Sequence, residues 1–130
     1  MTVARRYSTA ARRVRGLGAA RTGTGHFIAQ RVTSVALLIL TVAFIVIVAA
    51  LLGRSHAAAV QILASPVVAI GLLLFIVTSI YHMWIGMQEI IIDYVHEDLP
   101  KFAALIGNTF FCAAVGVVCV FALARLAFGL

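Results

Sequence analysis

Three long stretches of this chain carry no charged side chain, and that leaves it very few folds. Val32 to Leu52 runs for 21 residues, Ser65 to Gln88 for 24 with its histidine neutral, and Phe102 to Ala124 for 23. A helix of about 20 residues crosses the hydrocarbon core of a bilayer, so each stretch is long enough to span it. Lipid offers no partner to a loose backbone N–H or C=O, which makes the self-satisfied helix the form such runs take. The expected fold is all-α and integral to the membrane. Three transmembrane helices are expected, over about 30–52, 65–93 and 101–125, following a basic segment over 1–25 and together forming one domain over 26–130. Composition rules out a soluble alternative. Hydrophobic residues are 64% of the 130 and charged ones 11%, against about 45–50% and about 25% in soluble domains.

The connections are short. Gly53 is placed to stop the first helix and Ser65-Pro66 to start the second. Glu89 to Lys101 joins the second pair, its first part continuing the second helix past the membrane surface, with Leu99-Pro100 marking the turn into the third. Cys112 and Cys119 are two turns apart on one helix face, separated by about 10 Å of rise. That is too far for a disulfide, and they read as small packing residues. The third stretch has no ionisable residue between Lys101 and Arg125 and offers Gly107, Ala113, Ala114 and Gly116 for close helix approach.

Charge sets the orientation. Of ten basic residues, six are Arg5, Arg6, Arg12, Arg13, Arg15 and Arg21, and the first acid is Glu89. A basic tail beside membrane spans reads as a cytoplasmic segment near anionic lipid rather than a nucleic-acid binder. The expected topology is N-terminus in, C-terminus out. An acid-free, arginine-rich start also fits a mitochondrial transit peptide on composition alone.

The chemistry concentrates in the run His82-Met-Trp-Ile-Gly86-Met-Gln-Glu89-Ile-Ile-Ile-Asp93-Tyr94-Val-His96. An ionisable residue at membrane depth is costly and marks a functional site by default. At about 100° per residue, Gly86, Glu89 and Asp93 all fall within about 40° of His82, on one stripe. A neutral imidazole can bind haem iron, and a glycine one turn on leaves room for a flat macrocycle against the backbone. The plainer reading is a histidine hydrogen-bonded to a neighbouring helix, and the stripe alone does not separate the two. Met83 and Met87 fit packing better than iron ligation. A six-coordinate haem needs a second axial ligand, and His26, His56 and His96 all lie at or beyond helix ends, so either the haem is five-coordinate or the second ligand comes from another chain. Three helices are also few to enclose a haem, so an obligate partner subunit is expected.

Asp93 and Tyr94 sit where the second helix leaves the hydrocarbon. Tyr94 is either an interfacial anchor or a phenol that donates to a quinone carbonyl, with the neighbouring carboxylate relaying a proton. Glu89, His96, Glu97 and Asp98 read as a solvated surface that meets a soluble partner. Arg31 either snorkels to headgroups or pairs with a haem propionate; its position favours the first.

The pattern His26-Phe…Gln30-Arg31, followed by Tyr81-His82-Met-Trp-Ile-Gly86-Met-Gln88-Glu-Ile-Ile-Ile-Asp93-Tyr94-Val95-His96, closely resembles the hydrophobic anchor subunit of succinate dehydrogenase (respiratory complex II), the smaller cytochrome b556 subunit. The likeness spans roughly residues 22 to 124, and the opening GLGAARTGTGHFIAQR looks most like the alphaproteobacterial branch. The resemblance implies that His82 is the axial ligand of haem b, the other ligand coming from the large cytochrome b556 anchor subunit. It implies that Tyr94 hydrogen-bonds ubiquinone with Asp93 as its acidic neighbour, and that Arg31, and more weakly His26, lies near the haem propionates. Flavin and iron–sulfur clusters are then confined to a flavoprotein and an iron–sulfur subunit. The resemblance also implies that ubiquinone is the substrate and that succinate is oxidised on the cytoplasmic side of a bacterial inner membrane. The tail then reads as cytoplasmic rather than as a transit peptide. Three rivals remain: a haem-free quinone-binding anchor, a fumarate-reducing relative, and a small proton-coupled transporter or assembly protein.

Overall fold

The computed structural model describes residues 23–129. The Arg-rich tail, and with it the segment expected over 1–25 up to residue 22, lies outside them. Among the described residues the chain is entirely helical: α1 (Gly23–Leu51), α2 (His56–Ala64), α3 (Pro66–Tyr94) and α4 (Asp98–Phe128). Helices α1, α3 and α4 are the three expected spans. At 29, 29 and 31 residues, each is about 43–47 Å long. That exceeds the roughly 30 Å hydrocarbon core, so each projects into the headgroup layers.

Local chemistry explains the breaks. Gly53 adopts φ 72 just after α1, a left-handed conformation that a Cβ would oppose, and it turns the chain. The stretch expected as a plain connection then forms α2, a nine-residue helix. Ser55 caps it, its side chain accepting from the Ala58 N–H at 3.4 Å, and three alanines follow His56 as strong helix formers. Ser65, extended at φ −64 and ψ 135, ends α2 and precedes α3, whose first residue is Pro66. Proline there loses no hydrogen bond that a first helical turn would make. Leu99-Pro100 falls inside the first turn of α4, which begins at Asp98, again where a missing N–H is harmless.

Helix α3 is central, packing on α1 at one side and α4 at the other. Against α1, the Phe44 and Phe75 rings stack with centroids 4.7 Å apart. Against α4, Ile85 is buried to 1% exposure and Gly116 receives the Ile80 side chain. The α3–α4 seam also carries a polar clasp. Asn108 donates to the Trp84 carbonyl at 3.1 Å, and the Trp84 indole N–H donates to Thr109 Oγ1 at 3.2 Å. Most remaining large apolar side chains face outward, which suits a molecule surrounded by lipid and other helices.

Candidate functional site

The start of α1, the end of α3 and the start of α4 share one end of the bundle, since successive spans run in opposite directions. His82 lies 12 residues before the end of α3, about 18 Å inside it along the helix axis. Thr33 lies ten residues into α1, at about 15 Å, so the two meet at similar depth.

The stripe on α3 faces the first turns of α1. His82 Nδ1 is 2.8 Å from Thr33 Oγ1, and His82 Nε2 is 3.4 Å from the Gln30 amide nitrogen. One turn on, the bare Gly86 backbone admits that same amide; a Cβ there would fall 3.2 Å from Gln30 Nε2. Nearer the membrane surface, Glu89 Oε1 is 3.5 Å from His26 Nδ1, an ion pair when the imidazole is protonated. His82, Gly86 and Glu89 therefore share one seam with His26, Gln30 and Thr33.

Hydrogen-bond capacity orders the protons. The Thr33 hydroxyl has one proton and lies 2.8 Å from the Ala29 carbonyl and 3.1 Å from that of Gln30. Donating there, it accepts from His82 Nδ1–H. Nε2 then bears the lone pair, which the Gln30 NH₂ group meets at a long 3.4 Å. A neutral imidazole with its proton on Nδ1 is the tautomer that binds a metal through Nε2.

These residues fit an iron porphyrin on one condition: the Gln30 amide must leave Nε2. Little holds it. Among the described residues its buried Oε1 has no hydrogen-bond partner, and its contact with Nε2 is long. No group of three or more potential metal-ligating side chains occurs among the described residues. A metal at His82 would thus not be held by a cluster of side chains among the described residues.

The other expected site residues are dispersed. Arg31 points away from this seam, its guanidinium 5.2 Å over the Phe27 ring on the exposed side of α1. Tyr94 is 79% exposed at the end of α3 beside exposed Asp93. The adjacent turn is held by a 3.1 Å contact between His96 Nδ1 and the Tyr94 carbonyl. Tyr94 and His82 are therefore separate stations along one helix, not one pocket.

In the sequence Gln30 appeared only within the pattern that carries the resemblance, and Thr33 only as a polar residue inside a charge-free run. Their spacing of three places both on one helix face, which is the signal that could have marked them. Asn108 and Thr109 were visible only as adjacent polar residues within the third run.

The description "Succinate dehydrogenase/Fumarate reductase transmembrane subunit" matches residues 5–123. The chain is 36% identical over 124 residues to the succinate dehydrogenase hydrophobic membrane anchor subunit of Paracoccus denitrificans, covering 95% of each. It is 29% identical over 83 residues to the subunit of the same name from Rickettsia bellii (strain RML369-C), covering 64% of this chain and 66% of that one. No solved structure matches the chain significantly.

Proposed function

Because the chain belongs to the succinate dehydrogenase/fumarate reductase transmembrane subunit family, we propose that it anchors a succinate:ubiquinone oxidoreductase in the bacterial inner membrane, contributes His82 to haem b, and forms part of the ubiquinone site at Tyr94. It is a subunit without flavin of its own, holding the flavoprotein and iron–sulfur subunits to the cytoplasmic face. The large cytochrome b556 subunit faces the α1–α3 seam and supplies the second axial histidine.

One observation carries the haem assignment: the 2.8 Å contact from Thr33 to His82 Nδ1, which leaves the Nε2 lone pair for a metal. Bound there, haem b supplies a one-electron store at the depth of His82. This chain's part is to hold the imidazole in one tautomer and to keep a Cβ out of the way at Gly86. His26 lies toward the same membrane surface, where the propionates of such a group would reach, and Arg31 is a weaker partner from the other side of α1.

At the surface, the exposed Tyr94 phenol donates to a ubiquinone carbonyl, and Asp93 passes protons from the aqueous side. Electrons come from the partner's iron–sulfur centres. With the basic tail on the cytoplasmic side, the ends of α1, α3 and α4 that carry His26, Tyr94 and Asp98 meet the soluble subunits there.

A haem-free anchor has its own support, since both ring nitrogens of His82 already have partners within the chain. Reduction of fumarate is the same assembly run in reverse, and the family spans both directions. Purifying the tagged chain from its native membrane in mild detergent separates these readings. A b-type reduced-minus-oxidised spectrum with flavoprotein and iron–sulfur partners is expected. Those partners without haem would leave the haem-free anchor. The chain alone, with neither, would overturn the assignment and bring the transporter or assembly reading forward.

A further inference from the structure

Two histidine contacts that the family assignment does not require are present in the α1–α3 seam, and they are unequal. The Thr33 contact is short at 2.8 Å and lies at the Nδ1 side. The Gln30 contact is long at 3.4 Å and lies at the Nε2 side. Thr33 cannot turn its hydroxyl lone pair away easily, because its single proton is directed at the carbonyls of Ala29 and Gln30 in its own helix. Those two bonds to the preceding turn are what keep the oxygen where it is. The Gln30 amide has three rotatable bonds and a buried carbonyl oxygen with no partner among the described residues.

We propose that Thr33 is a positioning residue for the haem ligand: it fixes the tautomer and ring plane of His82 from the neighbouring helix, while Gln30 caps Nε2 only until the iron takes its place. The proposal rests on His82 being an axial ligand and adds the residue that makes it a good one. A ligating imidazole whose far N–H is held by an oxygen is a stronger electron donor and is pre-oriented, so it binds iron more tightly and favours the ferric state. The contact also ties α1 to α3 at the depth of the cofactor, so incorporation of haem and packing of these two helices reinforce one another.

The test is made on the intact complex, purified from wild type and from Thr33→Val and Thr33→Ser variants. Haem b per flavin and the haem midpoint potential are measured on each. Valine keeps the shape and removes the acceptor; serine restores it. The expected result for Thr33→Val is about 10- to 100-fold weaker haem retention and an upward shift in the potential of the haem that remains. Thr33→Ser should retain wild-type content and potential. If Thr33→Val does not assemble with its partners, Thr33→Ala, which also lacks the hydroxyl, is read in its place.

Wild-type content and potential in the hydroxyl-free variant would overturn the positioning role and leave His82 as ligand. Equal impairment of Thr33→Ser would overturn it too, by assigning the effect to the lost methyl. A wild-type complex without haem would instead remove the haem reading itself, and this inference with it.

Discussion

A histidine within a membrane helix must have both ring nitrogens satisfied, and His82 meets that need from one neighbouring helix. Thr33 takes the Nδ1 side and the Gln30 amide the Nε2 side. The asymmetry of the two contacts gives the ring a direction, with the weakly held nitrogen available for exchange. Tyr94 is different in kind: largely exposed at the helix end, it meets the membrane surface instead of the seam. Tyr94→Phe is therefore expected to lower succinate:ubiquinone activity by roughly 2- to 13-fold, the kinetic equivalent of one neutral hydrogen bond of about 0.5–1.5 kcal/mol. Succinate oxidation with a soluble artificial acceptor should be unchanged. Equal loss in both assays would point to damage in the assembly and not to quinone binding.

The helices show how far such a sequence can be read. Runs without charge reveal spans because the bilayer penalises charge over a fixed thickness, and the three spans were legible for that reason. Helix α2 was missed although its signals were local: Ser55 at the cap and alanines after His56. Its length is far below a span, which is why a reading tuned to membrane thickness passed over it. The pairing of α1 with α3 was beyond the sequence. Thr33 and His82 are 49 positions apart, and which faces meet depends on the rotation of each helix in the bundle. The α3–α4 clasp was hidden likewise. Asn108, buried and donating to the Trp84 carbonyl, stands in a stretch that otherwise reads as packing. Asn108→Ala is expected to cost about 0.6–1.7 kcal/mol, the range of interhelical hydrogen bonds in membranes. Detergent-denaturation midpoints of the purified complex would measure it, and an unchanged midpoint would remove the clasp from the account of stability.

As a whole molecule the chain is incomplete. Among the described residues few apolar side chains are buried, Ile85, Ile91, Cys112 and Leu123, and all three spans carry long apolar faces. It presents an imidazole with one weakly held ring nitrogen and no group of three or more metal-ligating side chains among the described residues. Membership of a family of succinate dehydrogenase membrane subunits fits that incompleteness, since such a subunit implies partners. The stripe of His82, Gly86 and Glu89 was legible because helical periodicity alone brings them together, whereas the partners across the seam required the fold. Arg31 is a different case. Its place in the sequence favoured snorkelling to headgroups, the propionate role being implied by the resemblance alone, and the structure sets it over Phe27 on the exposed side of α1.

The central claim is that His82 holds the iron of haem b. It is tested most directly by the reduced-minus-oxidised spectrum of the complex purified with His82→Ala, compared at equal flavin content with wild type. The b-type bands should disappear, or shift with loss of low-spin character, while the flavoprotein and iron–sulfur subunits remain attached. An unchanged b-type spectrum in the variant would contradict axial ligation by His82 and, with it, the role assigned to the α1–α3 seam.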